Sequence, residues 1–206
     1  LVMHYDALQT GGGTGGCTGT MLTPRLVLTA RHCVSLTDGS AACNEEGKAD
    51  FGGAVKGDHK ASALYVFAGT TRPDFIGGLA RAARGAEVLT NGASSICNND
   101  IALILLEKPL EGAKIAPVRI DAGPEAGERV TVVGWGVTDS GPQPEVRQRR
   151  TGVGVEEVGP ALGLGPTEFR LGESTCSGDS GGPALSERGA VLGVLSRGGN
   201  GSGADP

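Results

Sequence analysis

An all-β fold is what this sequence predicts, on three observations. Apolar or alternating runs recur along the chain, and few outlast the usual strand length of about five to six residues. Glycine and proline, 37 and 11 of 206 residues, punctuate those runs at well above their usual joint share of about 12%. Helix-like spacing of small apolar residues is confined to one short stretch. The same composition excludes other classes. The glycines keep no three-residue period, which excludes collagen, and 38% hydrophobic residues oppose global disorder. No apolar run approaches the roughly 18 residues of a membrane span.

In chain order, Leu1 to Tyr5 reads as a first strand and Thr10 to Gly16 as a glycine-rich loop. Met21 to Ala30 is a strand run, Thr37 to Lys60 a long polar loop, and Ala63 to Ala68 a further strand. Gly77 to Val88, with Leu79, Ala80, Ala82 and Ala83, reads as a helical turn or two. Ile101 to Leu106 is the most apolar run and predicts a buried strand. Beyond it come Arg129 to Val133, Gly134-Trp135-Gly136, and a loop over Asp139 to Pro144 that divides the chain into two β units. Gly152 to Val158 and Thr167 to Leu171 are strands. Ala184 to Leu185 and Ala190 to Ser196 form a hairpin through the polar link Ser186-Glu187-Arg188-Gly189. Trp135, the only tryptophan, reads as core, His4 as a strand residue and His59 as a loop residue.

Net charge is −5 with both signs scattered, so nucleic acid is not an expected partner, because phosphate binding needs a basic face. Arg147, Arg149 and Arg150 read as a solvated strand edge. Cysteines at 17, 33, 43, 97 and 176 include no C-x-x-C pair, which favours dispersed disulfides over a metal site. Disulfides imply an oxidising compartment, secreted or periplasmic, and an odd count leaves one cysteine without a partner in this chain. Asn44 to Asp58 lacks the spaced oxygen ligands of a calcium site and reads as a solvated loop. No cofactor and no metal is expected.

The chemistry centres on Gly178-Asp179-Ser180-Gly181-Gly182-Pro183. It matches the G-x-S-x-G elbow of α/β-hydrolases, but in so glycine-rich a chain about 0.4 such matches arise by chance. An elbow also needs its histidine after the serine, and His4, His32 and His59 all precede Ser180. Pro183 opposes the helix an elbow requires. The order His, Asp, Ser remains. His32 follows a strong strand beside Cys33, and a Cys17–Cys33 disulfide would hold its loop still. Asp100 stands at the start of the most apolar strand, where a carboxylate needs a partner such as the Nδ1 hydrogen of a histidine.

Thr29-Ala30-Arg31-His32-Cys33, Asn99-Asp100-Ile101-Ala102-Leu103, Gly134-Trp135-Gly136 and Cys176-Ser177-Gly178-Asp179-Ser180-Gly181-Gly182-Pro183 together resemble, in order, the chymotrypsin-like (trypsin-like) serine proteases, taken here as of bacterial type. The resemblance runs from about Cys17 to Gly198. It implies two six-stranded antiparallel Greek-key β-barrels, over about 1–115 and 116–206, with the active site in the cleft between them. It implies a Ser-His-Asp triad of Ser180, His32 and Asp100 and an oxyanion hole from the N–H groups of Gly178 and Ser180. Ser196, Arg197 and Gly198 resemble the edge that pairs with substrate backbone, although the family usually carries Trp where Arg197 stands. Ser174 matches the base of the primary pocket, and an uncharged residue there suggests apolar or small P1 side chains; one residue earlier, Glu173 would supply a charge instead.

The resemblance further implies that Asp179 pairs with the α-amino group exposed on activation, that Cys17 pairs with Cys33 and Cys43 with Cys97, and that Cys176 pairs with a cysteine outside these residues. The family's activated start and its closing strand and helix are not read in this sequence. A polypeptide substrate, an activating protease or protein inhibitor, and a monomeric state are expected. An inactive zymogen or a non-catalytic protease-fold binding module is the competing reading.

Overall fold

The computed structural model describes residues 2–6, 15–137 and 143–198. Its first part comprises β1 (Val2–Asp6), β2 (Gly15–Thr23), β3 (Leu26–Thr29), β4 (Ser35–Thr37), β5 (Ala42–Cys43), β6 (Ala49–Phe51), β7 (Val55–Asp58), β8 (Leu64–Ala68), α1 (Phe75–Gly78), β9 (Ala83–Leu89) and β10 (Ala102–Leu106). The second comprises β11 (Arg129–Gly134), β12 (Gln148–Val158), β13 (Phe169–Leu171), β14 (Pro183–Ser186) and β15 (Val191–Val194). Six strands close a barrel in the order β1-β2-β3-β10-β9-β8. Among the described residues the second sheet has five strands, ordered β13-β12-β11-β14-β15, every neighbouring pair antiparallel. These two curled antiparallel sheets match the chymotrypsin-like two-barrel fold.

Alternation decides which side chains go inside. In β10, Ala102, Ile104 and Leu106 are buried while Leu103 and Leu105 are half-buried, and the inward set meets Met21, Val27, Leu64 and Val66. Each of these larger side chains, fully buried, contributes about 1.5–3 kcal/mol of transfer free energy. Val130, Val132, Val153, Val155 and Ala184 form the second core. The segment 115–119 ties the two sheets together: Ala116 N–H donates to Met21 of β2, and Arg119 N–H donates to Val191 of β15.

Three expectations change. Met21 to Ala30 is two strands, broken at Pro24-Arg25, whose carbonyls accept from Leu110 and Leu106. The expected helix over Gly77 to Val88 is only α1 plus a short 3₁₀ turn, Leu79–Arg81, and from Ala83 onward the chain is β9. The small residues there reflect close packing: a Cβ on Gly85 would lie 2.4 Å from the carbonyl of Ala61. The loop Thr37 to Lys60 carries two small ribbons, β4 with β7 and β5 with β6. Of the expected loops, residues 10–14 and 139–142 lie outside the described residues.

Trp135 is 1% exposed, as expected of core. Arg149 and Arg150 are exposed, but Arg147 is half-buried, its guanidinium 5.7 Å above the Trp135 ring and donating to Gly69. The aromatic face accounts for its departure from a solvated edge.

Candidate active site

The pairing of Thr29 with Ala102 carries the register outward so that Asp100 faces the turn holding His32. That turn, Arg31–Cys33, is a single 3₁₀ turn that begins as β3 ends. Its far end is anchored by the Cys17–Cys33 disulfide to β2. The Asp100 carboxylate is buried and accepts three hydrogen bonds. His32 Nδ1 lies 2.7 Å from Oδ2, the His32 backbone N–H donates to Oδ1 at 2.8 Å, and the Ser196 hydroxyl donates to Oδ2 at 2.5 Å. Burial pushes this carboxyl up, but the His32 side chain, Ser196 and the His32 backbone together outweigh burial and hold it below its ordinary value. An ionised carboxylate only accepts, so Nδ1 of His32 carries the hydrogen; in the neutral imidazole that leaves the lone pair on Nε2. Nε2 lies 3.8 Å from the disulfide sulfur of Cys33.

Ser180 comes from the other sheet and docks on β2. Its loop is tightened by Asp179 N–H to Cys176 and Gly182 N–H to Asp179, and fastened to β2 by Thr18, whose N–H donates to Ser180 at 2.8 Å and whose hydroxyl donates to Gly178 at 3.0 Å. Consecutive residues of β2 therefore grip both halves: Cys17 holds the His32 turn and Thr18 holds the Ser180 loop. Gly181 permits this approach, since a Cβ there would lie 2.2 Å from both the Thr18 carbonyl and the Thr29 hydroxyl. Among the described residues the Ser180 hydroxyl makes no hydrogen bond, to His32 or to any other group.

The geometry also presents two backbone donors. Val137 N–H holds the Ser177 carbonyl and Gly182 N–H holds the Asp179 carbonyl. In trans peptides the N–H points opposite the C=O, so the N–H groups of Gly178 and Ser180 are aimed away from those contacts. Neither has a partner among the described residues. Gly178 has φ +102°, in the region that favours glycine.

Asp179 lies in a cradle that only glycines allow. A Cβ on Gly134 or Gly136 would meet its carboxylate at 2.1 or 2.2 Å, and its oxygens accept from Gly136 N–H at 2.8 Å and Cys176 N–H at 3.0 Å. Burial pushes its carboxyl up, against those two backbone bonds, and among the described residues no cation pairs with it.

Of the remaining expected positions, Ser174 has a buried hydroxyl without a hydrogen-bond partner among the described residues, whereas Glu173 is exposed. Glu173 borders a shallow groove over β12, with Arg150, Gly152 and Glu156, that includes none of His32, Asp100 and Ser180. The backbone groups of Ser196, Arg197 and Gly198 make no hydrogen bonds among the described residues. The Arg197 guanidinium does not stand open in the cleft: it forks onto Glu168, Nη1 to Oε1 at 2.6 Å and Nη2 to Oε2 at 2.7 Å. The disulfides are Cys17–Cys33 and Cys43–Cys97, as expected, and Cys176 lies outside both. Cys17, His32 and Cys33 cluster closely enough to suggest a metal site, but both sulfurs are spent in the disulfide.

Several contributors were not foreseen. Ser196 was expected at the substrate edge, yet its hydroxyl lies on Asp100. Thr18, Glu168 and Asn98 carried no signal beyond being polar residues beside motifs.

A family model described as Trypsin matches residues 4–206. Phenoloxidase-activating factor 3 of Holotrichia diomphalia is 26% identical over 211 residues, covering 92% of this chain and 57% of that protein. Serine protease SP24D of Anopheles gambiae is 30% identical over 191 residues, 88% of this chain and 62% of that protein. The chain thus spans a little over half of each relative. Both relatives are insect proteins, so they lend no support to a bacterial type. Among solved structures, the scabies mite inactivated protease paralogue S-I1 aligns with a TM-score of 0.68 at 20% identity, covering 97% of this chain and 82% of that one; this is a likeness of fold.

Proposed function

The chain belongs to the trypsin family of serine proteases, and from that premise we propose that it is an active serine endopeptidase working through Ser180, His32 and Asp100. The observation that carries the proposal is the carboxylate–imidazole pair at 2.7 Å, which orients the ring through Nδ1, on a site that also presents two N–H groups unpartnered among the described residues. Folds of this kind also occur in an inactivated paralogue, so the residues and not the fold support activity.

His32 Nε2 takes the Ser180 hydrogen as Oγ attacks the scissile carbonyl, and Asp100 stabilises the imidazolium that forms. The N–H groups of Gly178 and Ser180 receive the oxyanion. His32 then protonates the departing amine, leaving an acyl-enzyme on Ser180 that water hydrolyses with His32 again as base. No Ser180–His32 hydrogen bond is needed beforehand, because such contacts commonly tighten only when substrate arrives. The free backbone edge at Ser196 to Gly198 pairs with substrate as an added strand. The buried Ser174 hydroxyl, with Glu173 turned to solvent, supports uncharged P1 residues. Polypeptides are the substrate class, and two disulfides fit an oxidising, extracellular setting.

A fluorophosphonate should label wild-type protein stoichiometrically on Ser180, and Ser180→Ala should abolish labelling and cut peptide turnover by roughly 10⁶-fold. Absence of labelling in every processed form rejects the proposal. A peptide panel varied at P1 tests the pocket, and preference for Arg or Lys would overturn the role of Ser174. A second reading is a precursor requiring cleavage, favoured by the Asp179 carboxyl, which burial pushes up and which would gain from a cation freed by processing. Labelling that begins only after proteolytic processing would select it.

A further inference from the structure

Two residues before Asp100 stands Asn98, the only non-glycine among the described residues with positive φ, +61°. Asparagine tolerates that conformation better than most residues, but something must hold it there. The holder is the loop at 165–168 of the other sheet's side of the molecule. Asn98 N–H donates to Glu168 Oε1 at 2.9 Å, Thr167 N–H donates to Asn98 Oδ1 at 2.7 Å, and the Thr167 hydroxyl lies 3.1 Å from the Asn98 carbonyl. The contact is close enough that a Cβ on Gly165 would lie 2.8 Å from Asn98 Oδ1.

Glu168 is itself saturated. Oε1 accepts from Asn98 N–H and Arg197 Nη1, and Oε2 accepts from Gly165 N–H and Arg197 Nη2. Burial pushes its carboxyl up, yet Arg197 and the two backbone donors keep it below its ordinary value, so the pair is ionised at neutral pH. Arg197 follows Ser196 in sequence, and Ser196 donates to Asp100. A ring therefore closes: Asp100, the Ser196 hydroxyl, along the chain to Arg197, across to Glu168, to Asn98 N–H, and back along the chain to Asp100.

We propose that the Arg197–Glu168 ion pair is a positioning device for Asp100, fixing through Asn98 on one side and Ser196 on the other where the carboxylate meets His32. The bidentate fork matters because it fixes direction as well as distance, which an ammonium cannot do. The pair thereby gives a structural role to the position where the family usually carries Trp. Its effect on rate rests on the proposed protease activity, whereas its effect on the His32–Asp100 hydrogen bond does not.

The test reads both. In wild type the His32 Nδ1 hydrogen, shared with a carboxylate at 2.7 Å, should give a sharp, far-downfield proton resonance. Arg197→Met should broaden it or move it upfield, and should slow labelling of Ser180 by a small fluorophosphonate, which carries no peptide to engage the substrate edge, by about tenfold. Arg197→Lys should fall between and carries the test if the methionine variant is unfolded. Arg119→Met breaks a comparably buried fork, onto Glu128, on the outside of the second sheet, and should change neither readout. A resonance unchanged in a folded Arg197 variant, or equally changed in Arg119→Met, overturns the proposal. A resonance that responds in a protein that no fluorophosphonate labels in any processed form upholds the positioning role and rejects the protease.

Discussion

Gly181 and Gly189 share a backbone conformation, φ +79° and +80°, and differ in surroundings, so alanine at each separates two costs. At Gly189, in the polar hairpin link, nothing lies within 4 Å of a built Cβ. Gly189→Ala should therefore cost only the left-handed backbone penalty, about 1–2 kcal/mol. At Gly181 the same Cβ would sit 2.2 Å from the Thr18 carbonyl and from the Thr29 hydroxyl, and 3.1 Å from Ala30 N. Relief requires the Ser180 loop to retreat from β2, which adds an overpacking cost of about 1–3 kcal/mol. It also endangers the Thr18–Ser180 and Thr29–Thr18 hydrogen bonds, each worth about 1 kcal/mol. Gly181→Ala should thus be the less stable by about 2 kcal/mol or more in urea unfolding, read as a lower midpoint at unchanged slope. Because a retreat of about 1 Å misaligns the nucleophile, its fluorophosphonate labelling should also slow by about 100-fold while Gly189→Ala labels as wild type. Equal midpoints for the two variants, or normal labelling of Gly181→Ala, would refute the claim that this glycine exists to let the serine loop dock.

The Asp100 and Asp179 carboxylates should give stability profiles of opposite slope. Asp100 is held below its ordinary value of 3.8, so its contribution is full above that pH and lost as pH falls through the folded value; the stability gap between wild type and Asp100→Asn should close in acid, while labelling of that variant drops by roughly 10⁴-fold at neutral pH. Asp179 is raised by burial, so its protonated form favours the native state, and Asp179→Asn should gain on wild type as pH rises from the ordinary carboxylate range; parallel profiles across denaturant titrations would contradict both assignments. The disulfides should separate stability from rate. Cys17→Ala/Cys33→Ala opens a link across 16 residues at a cost of about 3 kcal/mol and slows labelling, whereas Cys43→Ala/Cys97→Ala opens one across 54 at about 4 kcal/mol with the smaller kinetic effect.

What could be read in advance was what chemistry dictates locally. A base beside a cysteine, an acid at the mouth of an apolar strand and a serine among glycines each need particular residue types, so His32, Asp100 and Ser180 stand out in sequence; His32 and Asp100 join through two hydrogen bonds within the first barrel, and the Ser180 loop docks on β2 through Thr18. The strand runs were legible by the same token, because Ala102, Ile104 and Leu106 must alternate to face one core. Ala82, Ala83 and Gly85 misled because small residues spaced as on a helix face are also what a tight barrel wall requires. Glu168 and Thr18 were silent for a different reason. Their importance comes from partners 70 and 162 residues away, fixed by barrel closure and register, and a glutamate or threonine that joins such a contact looks in sequence like any other.

That distribution has a consequence for how the molecule tolerates change. The His32–Asp100 pair is built into one sheet and Ser180 into the other, and beside the site few bonds join the two halves: Thr18 to Ser180 and Gly178, Ser196 to Asp100, and the 165–168 loop to Asn98. Individually such bonds are worth about 1 kcal/mol, small beside the 5–15 kcal/mol that keeps a typical domain folded. Catalytic alignment is far less forgiving, since about 1 Å of drift costs about 100-fold in rate. Substitutions at Thr18, Glu168 and Arg197 should consequently slow fluorophosphonate labelling well before they unfold the protein, whereas substitutions at Val66 or Ile104, fully buried in the first barrel, should do the reverse.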